Sequence, residues 1–243
     1  IYNKLGTLGE RTSGFEKGKA RRGLHGRGAR DVAAFGTVVF ESIKDEKYNC
    51  LEIPASLKCR FTEPHPIKAT PEIREKLGIP KGSNGTIVTI KVHSRFNIPQ
   101  HEKLKNDFSR YYCLRDIFSD PKRRVIIVDR NRELEDPLVY VYPAGEVAYN
   151  DDFPISGYDG ATVHLTIRRH ETPFEQSVLP YREGILIKSS AAIHDCTYFT
   201  LESEPFSWRF TGELHCDYID KLIREYDDRE EANPDNPGHP LDN

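Results

Sequence analysis

Residues 21–36 read RRGLHGRGARDVAAFG, with Gly23, Gly26 and Gly28 close together, arginines around them and an apolar run directly behind. Glycine lets backbone N–H groups approach a bulky anion that a Cβ would hold off. A helix that starts where such a loop ends adds partial positive charge. The plain alternative is a solvated basic turn. No Gly-Lys-Ser/Thr follows the glycines, so this is not a P-loop. Nor is it a dinucleotide fingerprint, because the glycine spacing is wrong and the strand follows the helix instead of preceding the loop. "ARDVAAFG" itself reads as a short helix with Asp31 in its first turn and Gly36 as its C-cap.

Working outward, residues 1–30 interleave glycine with lysine and arginine and read as a long basic segment. Downstream, residues 37–45 read as a strand, and "YNCLEIP" and "LKCRFTE" as a strand pair around Pro54. In "TPEIREKLGIP", Thr70 is placed as N-cap, Pro71 at the first helical position and Gly78 at the stop, which predicts a short helix. "KGSNGTIVTIKVHS" reads as a turn and then a β-branched strand. The spacing of Leu104, Phe108, Tyr111, Tyr112, Leu114 and Ile117 predicts a helix over 99–119.

Beyond 120 the texture turns to strands. "RRVIIVDRN" and "LVYVYPAG" read as a hairpin, and "ATVHLTIRRH" alternates, with Val163, Leu165 and Ile167 on one face. "REGILIKSSAAIHD" reads as a strand crossing into a loop or short helix, and "SWRFTGELHCD" as a last strand. "DYIDKLIREYDD" reads as a last helix with Ile219, Leu222, Ile223 and Tyr226 on one side. The fold class expected is α+β, in two layers, with domains at 1–98 and 99–226 and a linker or tail at 227–243.

Composition excludes several classes. The 243 residues carry 30% charged and 37% hydrophobic side chains with a net charge of −3, so no overall basic field argues for nucleic acid. No apolar run reaches membrane-span length and no signal peptide opens the chain, so a cytoplasmic protein without membrane association is expected. The 5 cysteines form no CxxC pair and read as reduced, buried thiols. With no methionine and an acidic Asn- and Pro-rich end, the chain reads as a piece of a longer protein.

The order of motifs is more specific than any one of them. A basic Gly-rich segment, a Gly-x-Gly turn, a helix, a strand and later Gly85-Thr86 opening another strand resemble the C-terminal half of the ATPase fold shared by gyrase, the heat-shock chaperone, histidine kinases and MutL (GHKL). The likeness is nearest the MutL, Microrchidia and chaperone-like branch. It implies a partial Bergerat-type α/β sandwich over 1–98, then a β-α-β transducer-like domain. "LHGRGARDVAAFG" looks like the second glycine box and "LGTLGERTSGFEKGKARRG" like the ATP lid. "SNGTIVTIKV" looks like the Gly-Thr box.

The resemblance implies ATP as ligand, with Gly23, Gly26, Arg27, Gly28, Ala29, Gly85 and Thr86 on the nucleotide. Arg21, Arg22 and Arg27 would add charge-assisted bonds. Lys188, in "REGILIKSSAAIHD", would be the catalytic lysine on the γ-phosphate. It further implies a homodimeric, ATP-gated clamp on DNA or a client protein. The family's Glu- and Asn-bearing box and its Asp-x-Gly-x-Gly box do not occur in the chain. The general base and the Mg2+ ligand would then lie outside it, and the chain alone would be inactive as an ATP hydrolase. The alternative is a non-enzymatic protein- or RNA-interaction module with a flexible Gly/Arg-rich arm. His194-Asp195 lacks further ligands at metal spacing, and Trp208, Phe210 and the Tyr111-Tyr112 pair are expected in packing roles.

Overall fold

The computed structural model describes residues 31–56, 60–61, 66–177, 179–190 and 192–232. The chain divides into two compact units, 1–98 and 99–243. Both mix helices with mostly antiparallel sheets, an α+β architecture.

In the first unit, β1 (Gly36–Lys44) turns back into β2 (Lys47–Ile53) through Asp45 and Glu46. Both turn residues are left-handed, φ 50° and 63°, the twist a two-residue hairpin needs. Asn84 Oδ1 accepts from the Asp45 N–H at 2.9 Å and steadies that turn. Val38 and Phe40 on β1 face the same way as Leu51 and Ile53 on β2, and Ala33 closes over them. Ile43 points to the other face and packs with Ala69, Leu77 and Ile79. That second cluster is held by α1 (Pro71–Leu77), whose termini match expectation. Thr70 Oγ1 accepts from the Ile73 N–H at 3.4 Å, and Gly78 caps the helix at φ 62°. The sheet is completed by β3 (Arg60–Phe61), β4 (Ile67–Lys68) and β5 (Gly85–Val92). Its order is β3-β2-β1-β5, with β4 also on β2.

Gly36 departs from expectation. The segment before it is a 3-10 turn over Val32–Ala34 capped by Phe35, and Gly36 is the first residue of β1. A Cβ there would stand 2.0 Å from the Lys91 carbonyl oxygen on β5. Glycine at 36 serves the approach of two strands, not the end of a helix.

In the second unit, α2 (His101–Arg110) stops where Tyr111 goes extended. A 3-10 turn at Tyr112–Leu114 and then α3 (Arg115–Ser119) follow. The single helix expected over 99–119 is broken because the Tyr112 N–H donates to Pro180 O at 3.1 Å, outside the helix. Tyr112 stacks on Tyr111 and packs against Leu186, Ile193 and Cys196. The hairpin is β6 (Val125–Asp129) with β7 (Leu134–Leu138), so the second strand begins before "LVYVYPAG". Asp129 Oδ1 accepts from the N–H groups of Asn131 and Arg132, and Glu133 is left-handed at φ 55°, so the reversal is already complete at Leu134.

The main sheet holds β8 (Glu146–Pro154), β9 (Thr162–Arg169), β10 (Ile185–Lys188), β11 (Ile193–Thr197) and β12 (Phe210–His215). Its order is β11-β10-β12-β9-β8, with only β10 and β12 parallel. The expected passage of β10 into a loop or short helix is a hairpin into β11 instead. β8, "EVAYNDDFP", is polar and largely exposed, and pattern reading gives it no strand signal. Trp208 lies not on a strand but in a buried 3-10 turn, edge-on to Tyr198 at 5.2 Å. α4 (Tyr218–Ala232) runs on into the stretch that the sequence assigns to a tail from 227. No helix among the described residues is long and apolar enough to cross a membrane.

Candidate functional site

Gly23, Gly26, Arg27, Gly28 and Ala29, and with them the lid, lie outside the described residues. Of the nucleotide residues expected from sequence, Gly85 and Thr86 are described. They open β5, opposite Ile43 and Ser42 of β1, and Thr86 Oγ1 donates to Ser42 Oγ at 3.1 Å. Gly36, where the glycine-rich segment joins the sheet, lies at the other end of the same ladder, opposite Val92. At about 3.4 Å per residue, the two ends of that ladder stand about 24 Å apart. Gly85 has a local reason to be glycine: a Cβ would meet Ile79 Cδ1 at 2.9 Å.

Lys188 belongs to the second unit, at the end of β10. This strand lies inside the sheet, between β11 and β12, so the lysine does not guard a sheet edge. The backbone is fixed on both sides, since Lys188 pairs with Ile193 and with His215 and its carbonyl accepts from the Cys216 N–H at 2.8 Å. The ladder to β11 shifts register between Ile187 and Lys188. The side chain is only 13% exposed, and Nζ donates to Asp116 Oδ1 at 2.8 Å and to Glu213 Oε1 at 3.1 Å. It also lies 5.7 Å from the centre of the Tyr142 ring. Tyr142 Oη donates to the same Asp116 oxygen at 2.5 Å. Burial raises the Tyr142 phenol far above its ordinary value, and Asp116 as acceptor raises it further, so this phenol stays a donor.

A second polar group adjoins the first. A cavity of about 300 Å³ is lined by Arg115, Tyr140, Tyr142, Arg168, Glu183 and Glu213, among others. Arg115 is almost fully buried. It pairs with Glu183 at 3.0 Å, donates to the Arg182 carbonyl at 2.8 Å and lies over the Tyr140 ring at 4.9 Å. Its Nε has no hydrogen-bond partner among the described residues. Tyr140 Oη donates to Glu183 at 3.0 Å. Burial pushes the nearby Cys196 thiol up to about 12 against the pull of Arg115, which makes it a packing residue rather than a nucleophile. The cations Lys188, Arg115 and Arg168 stand against the anions Asp116, Glu183 and Glu213. The arrangement can present an ammonium to an anion, but it contains no serine, cysteine or histidine set up for covalent chemistry.

Ser189, His194 and Asp220 look more like such a set, yet their hydrogen bonds argue otherwise. Ser189 Oγ donates to Asp220 Oδ1 at 2.8 Å, while His194 Nε2 also lies 2.8 Å from that hydroxyl. With the hydroxyl proton given to Asp220, the imidazole has none to take. These three tie β10, β11 and α4 together below the surface. The other titratable cluster, His101, Glu102 and Asp136, is no better as a magnesium site. Asp136 already holds Lys105 at 2.7 Å and His101 at 2.8 Å, and an ammonium on the carboxylate repels a dication. Magnesium therefore finds no fitting donor set among the described residues.

Asp116, Glu213, Tyr142 and Arg115 escaped the sequence reading. Asp116 is 72 residues from Lys188 in the chain, and no local pattern links them. Glu213 could have been placed beside β10 only by knowing that β12 runs parallel to it.

No protein-family model and no curated protein matches the chain. Among solved structures it is similar to the 43K ATPase domain of Thermus thermophilus gyrase B in complex with an aminocoumarin. Identity there is 12%, over 84% of this chain and 66% of that one, with a TM-score of 0.37. It is also similar to the B-subunit of the DNA gyrase from Myxococcus xanthus, at 11% identity over 76% of this chain and 58% of that one, with a TM-score of 0.35. The chain thus spans less than two thirds of the length of either. Likeness at this level leaves function to the chain's own residues.

Proposed function

We propose that residues 1–98 are the phosphate half of a GHKL-type nucleotide domain and residues 99–226 a transducer-like domain, together part of an ATP-gated dimeric clamp on DNA or a client protein. One observation carries it. The strand that opens on Gly85-Thr86 returns to pair with β1, the strand directly behind the glycine-rich segment, and a lysine stands at a strand end in the following unit. On this reading Gly23 and the N–H groups of Gly26 to Ala29 hold the phosphates, and Gly85 and Thr86 contribute to the nucleotide site from β5. Lys188 then offers positive charge where negative charge grows on the γ-phosphate. Catalytic magnesium and the general base belong to parts of the protein outside this chain.

In the intact protein, Gly28→Val should abolish ATP binding with the fold retained. Lys188→Ala should lower turnover about a hundredfold while changing ATP affinity little, the scale of one lost transition-state contact. Calorimetry and steady-state kinetics read both. Unchanged ATP affinity in a folded Gly28→Val protein would sink the assignment, and would favour an interaction module in which the glycines are a flexible arm.

A further inference from the structure

We propose that the cavity lined by Arg115, Arg168, Tyr140 and Tyr142 binds a small organic carboxylate, its charged end on the two guanidinium groups and its apolar body against the two rings. The proposal does not depend on the nucleotide reading, because every residue it uses lies in the second unit.

Strand register builds one wall of the cavity. Thr211 of β12 stands opposite Arg168 of β9, and Glu213 opposite Thr166, so these four side chains share one face of the sheet. Arg115 comes from the first turn of α3, and Tyr140 and Tyr142, just behind β7, meet edge-on at 5.0 Å. At about 300 Å³ the space is at the lower end of small-molecule sites.

The hydrogen bonds of the lining show what is missing from it. Both phenols are used, Tyr140 on Glu183 and Tyr142 on Asp116. Thr166 donates to Asn150, and Thr211 lies 2.8 Å from His170 Nε2. What is left over is guanidinium. Arg115 is 1% exposed and its Nε has no acceptor among the described residues, a costly state for a buried charged donor. Arg168 is half-buried, and its one hydrogen bond among the described residues, from Nη1 to the Gly145 carbonyl, is long at 3.4 Å. Unmatched donors call for an acceptor, and a planar carboxylate fits the guanidinium fork.

Charge narrows the choice further. Arg115 and Arg168 face one lining carboxylate with no other cation on it, Glu183, which leaves one positive charge to be met. Next to them Lys188 is shared by Asp116 and Glu213, which leaves one negative charge over. A singly charged carboxylate satisfies the guanidinium pair, whereas a doubly charged phosphate meets repulsion from that neighbour.

The test uses the full chain with isotope-labelled arginine. Benzoate and hexanoate serve as carboxylate probes, with benzamide and inorganic phosphate as controls. Either carboxylate should move the Arg115 and Arg168 Nε–H resonances and give a saturable calorimetric isotherm. Benzamide, with the ring but no charge, should do neither, and phosphate should bind at least about tenfold more weakly. Arg168→Gln should weaken carboxylate binding at least about tenfold, as expected for one lost charge-assisted contact. Arg115→Lys keeps a cation beside Glu183 but removes Nε, and should also weaken it. Near-ultraviolet circular dichroism checks folding; if Arg115→Lys does not fold, Arg168→Gln on β9 decides alone. The site is overturned if both carboxylates at about 10 mM leave the two resonances in place, or bind no more tightly than benzamide or phosphate. Unchanged affinity in a folded Arg168→Gln protein overturns it as well.

Discussion

β5 and β10 are made of the same material and live in opposite surroundings. β5, Gly-Thr-Ile-Val-Thr-Ile-Lys-Val, is the longer and the richer in β-branched residues, yet it lies at the edge of its sheet with Val88 48% exposed. β10, Ile-Leu-Ile-Lys, is half as long and sits between two neighbours with Ile185 and Leu186 buried. Side-chain type fixes that both are strands. Which neighbours flank them fixes what each can do. An edge strand leaves Thr86 exposed, with its hydroxyl donating to Ser42, whereas an inner strand holds Lys188 at its end on a rigid base.

The largest effect should come from closing the tight contact between β12 and β9, in the sheet that holds β10. A Cβ at Gly212 on β12 would stand 2.1 Å from the Thr166 carbonyl oxygen of β9 and 3.0 Å from Ile185 Cδ1 of β10. The nearer atom is backbone and cannot swing aside. Gly212→Ala should therefore destabilise the second unit by about 3 kcal/mol or more. Trp208, the single tryptophan and buried in that unit, reports its unfolding in urea. A midpoint equal to that of the unmodified protein would mean that β9 and β12 do not meet there.

Truncating side chains draws the contrast directly. Leu186→Ala removes a buried side chain packed with Ile193, Cys196 and Tyr142 and should cost about 2–5 kcal/mol. Val88→Ala on β5 trims a half-exposed side chain and should cost at most about 1 kcal/mol. Amide hydrogen exchange resolves the two units separately, as two-state fitting of the whole chain would not. Equal losses at the two positions would erase the distinction between edge and inner strand.

What the sequence made legible follows the same line. Thr70, Pro71 and Gly78 bound α1 because capping is chemistry within a few residues, and β1, β2, β5, β9 and β12 each carry their own pattern. The break at Tyr111 was not legible, since Pro180, far along the chain, supplies the competing acceptor. β8 was hidden because a polar, exposed strand owes its existence to β9 alone. For the candidate site, Lys188 follows from the family resemblance, which asks for a basic residue after a strand, and not from any pattern of its own. Its partners on α3 and β12 were not legible, because only the parallel pairing of β10 with β12 and the return of α3 bring carboxylates to it.

The smallest structural effect is expected at Gly85, and that smallness makes it informative. Its φ is not left-handed, and the atom that an added Cβ would meet is Ile79 Cδ1, the far end of a flexible side chain. A small turn of that side chain makes room, and the loss of unfolded-state freedom on replacing glycine offsets part of the cost. Gly85→Ala should thus change the stability of the first unit by no more than about 1 kcal/mol, as judged by exchange protection across β1 and β5. ATP affinity in the intact protein can then be read without interference from misfolding. If β5 carries a nucleotide contact at its exposed end, the added methyl lowers that affinity while exchange protection holds. Affinity that stays level with protection intact would confine Gly85 to its packing against Ile79 and take it out of the nucleotide site.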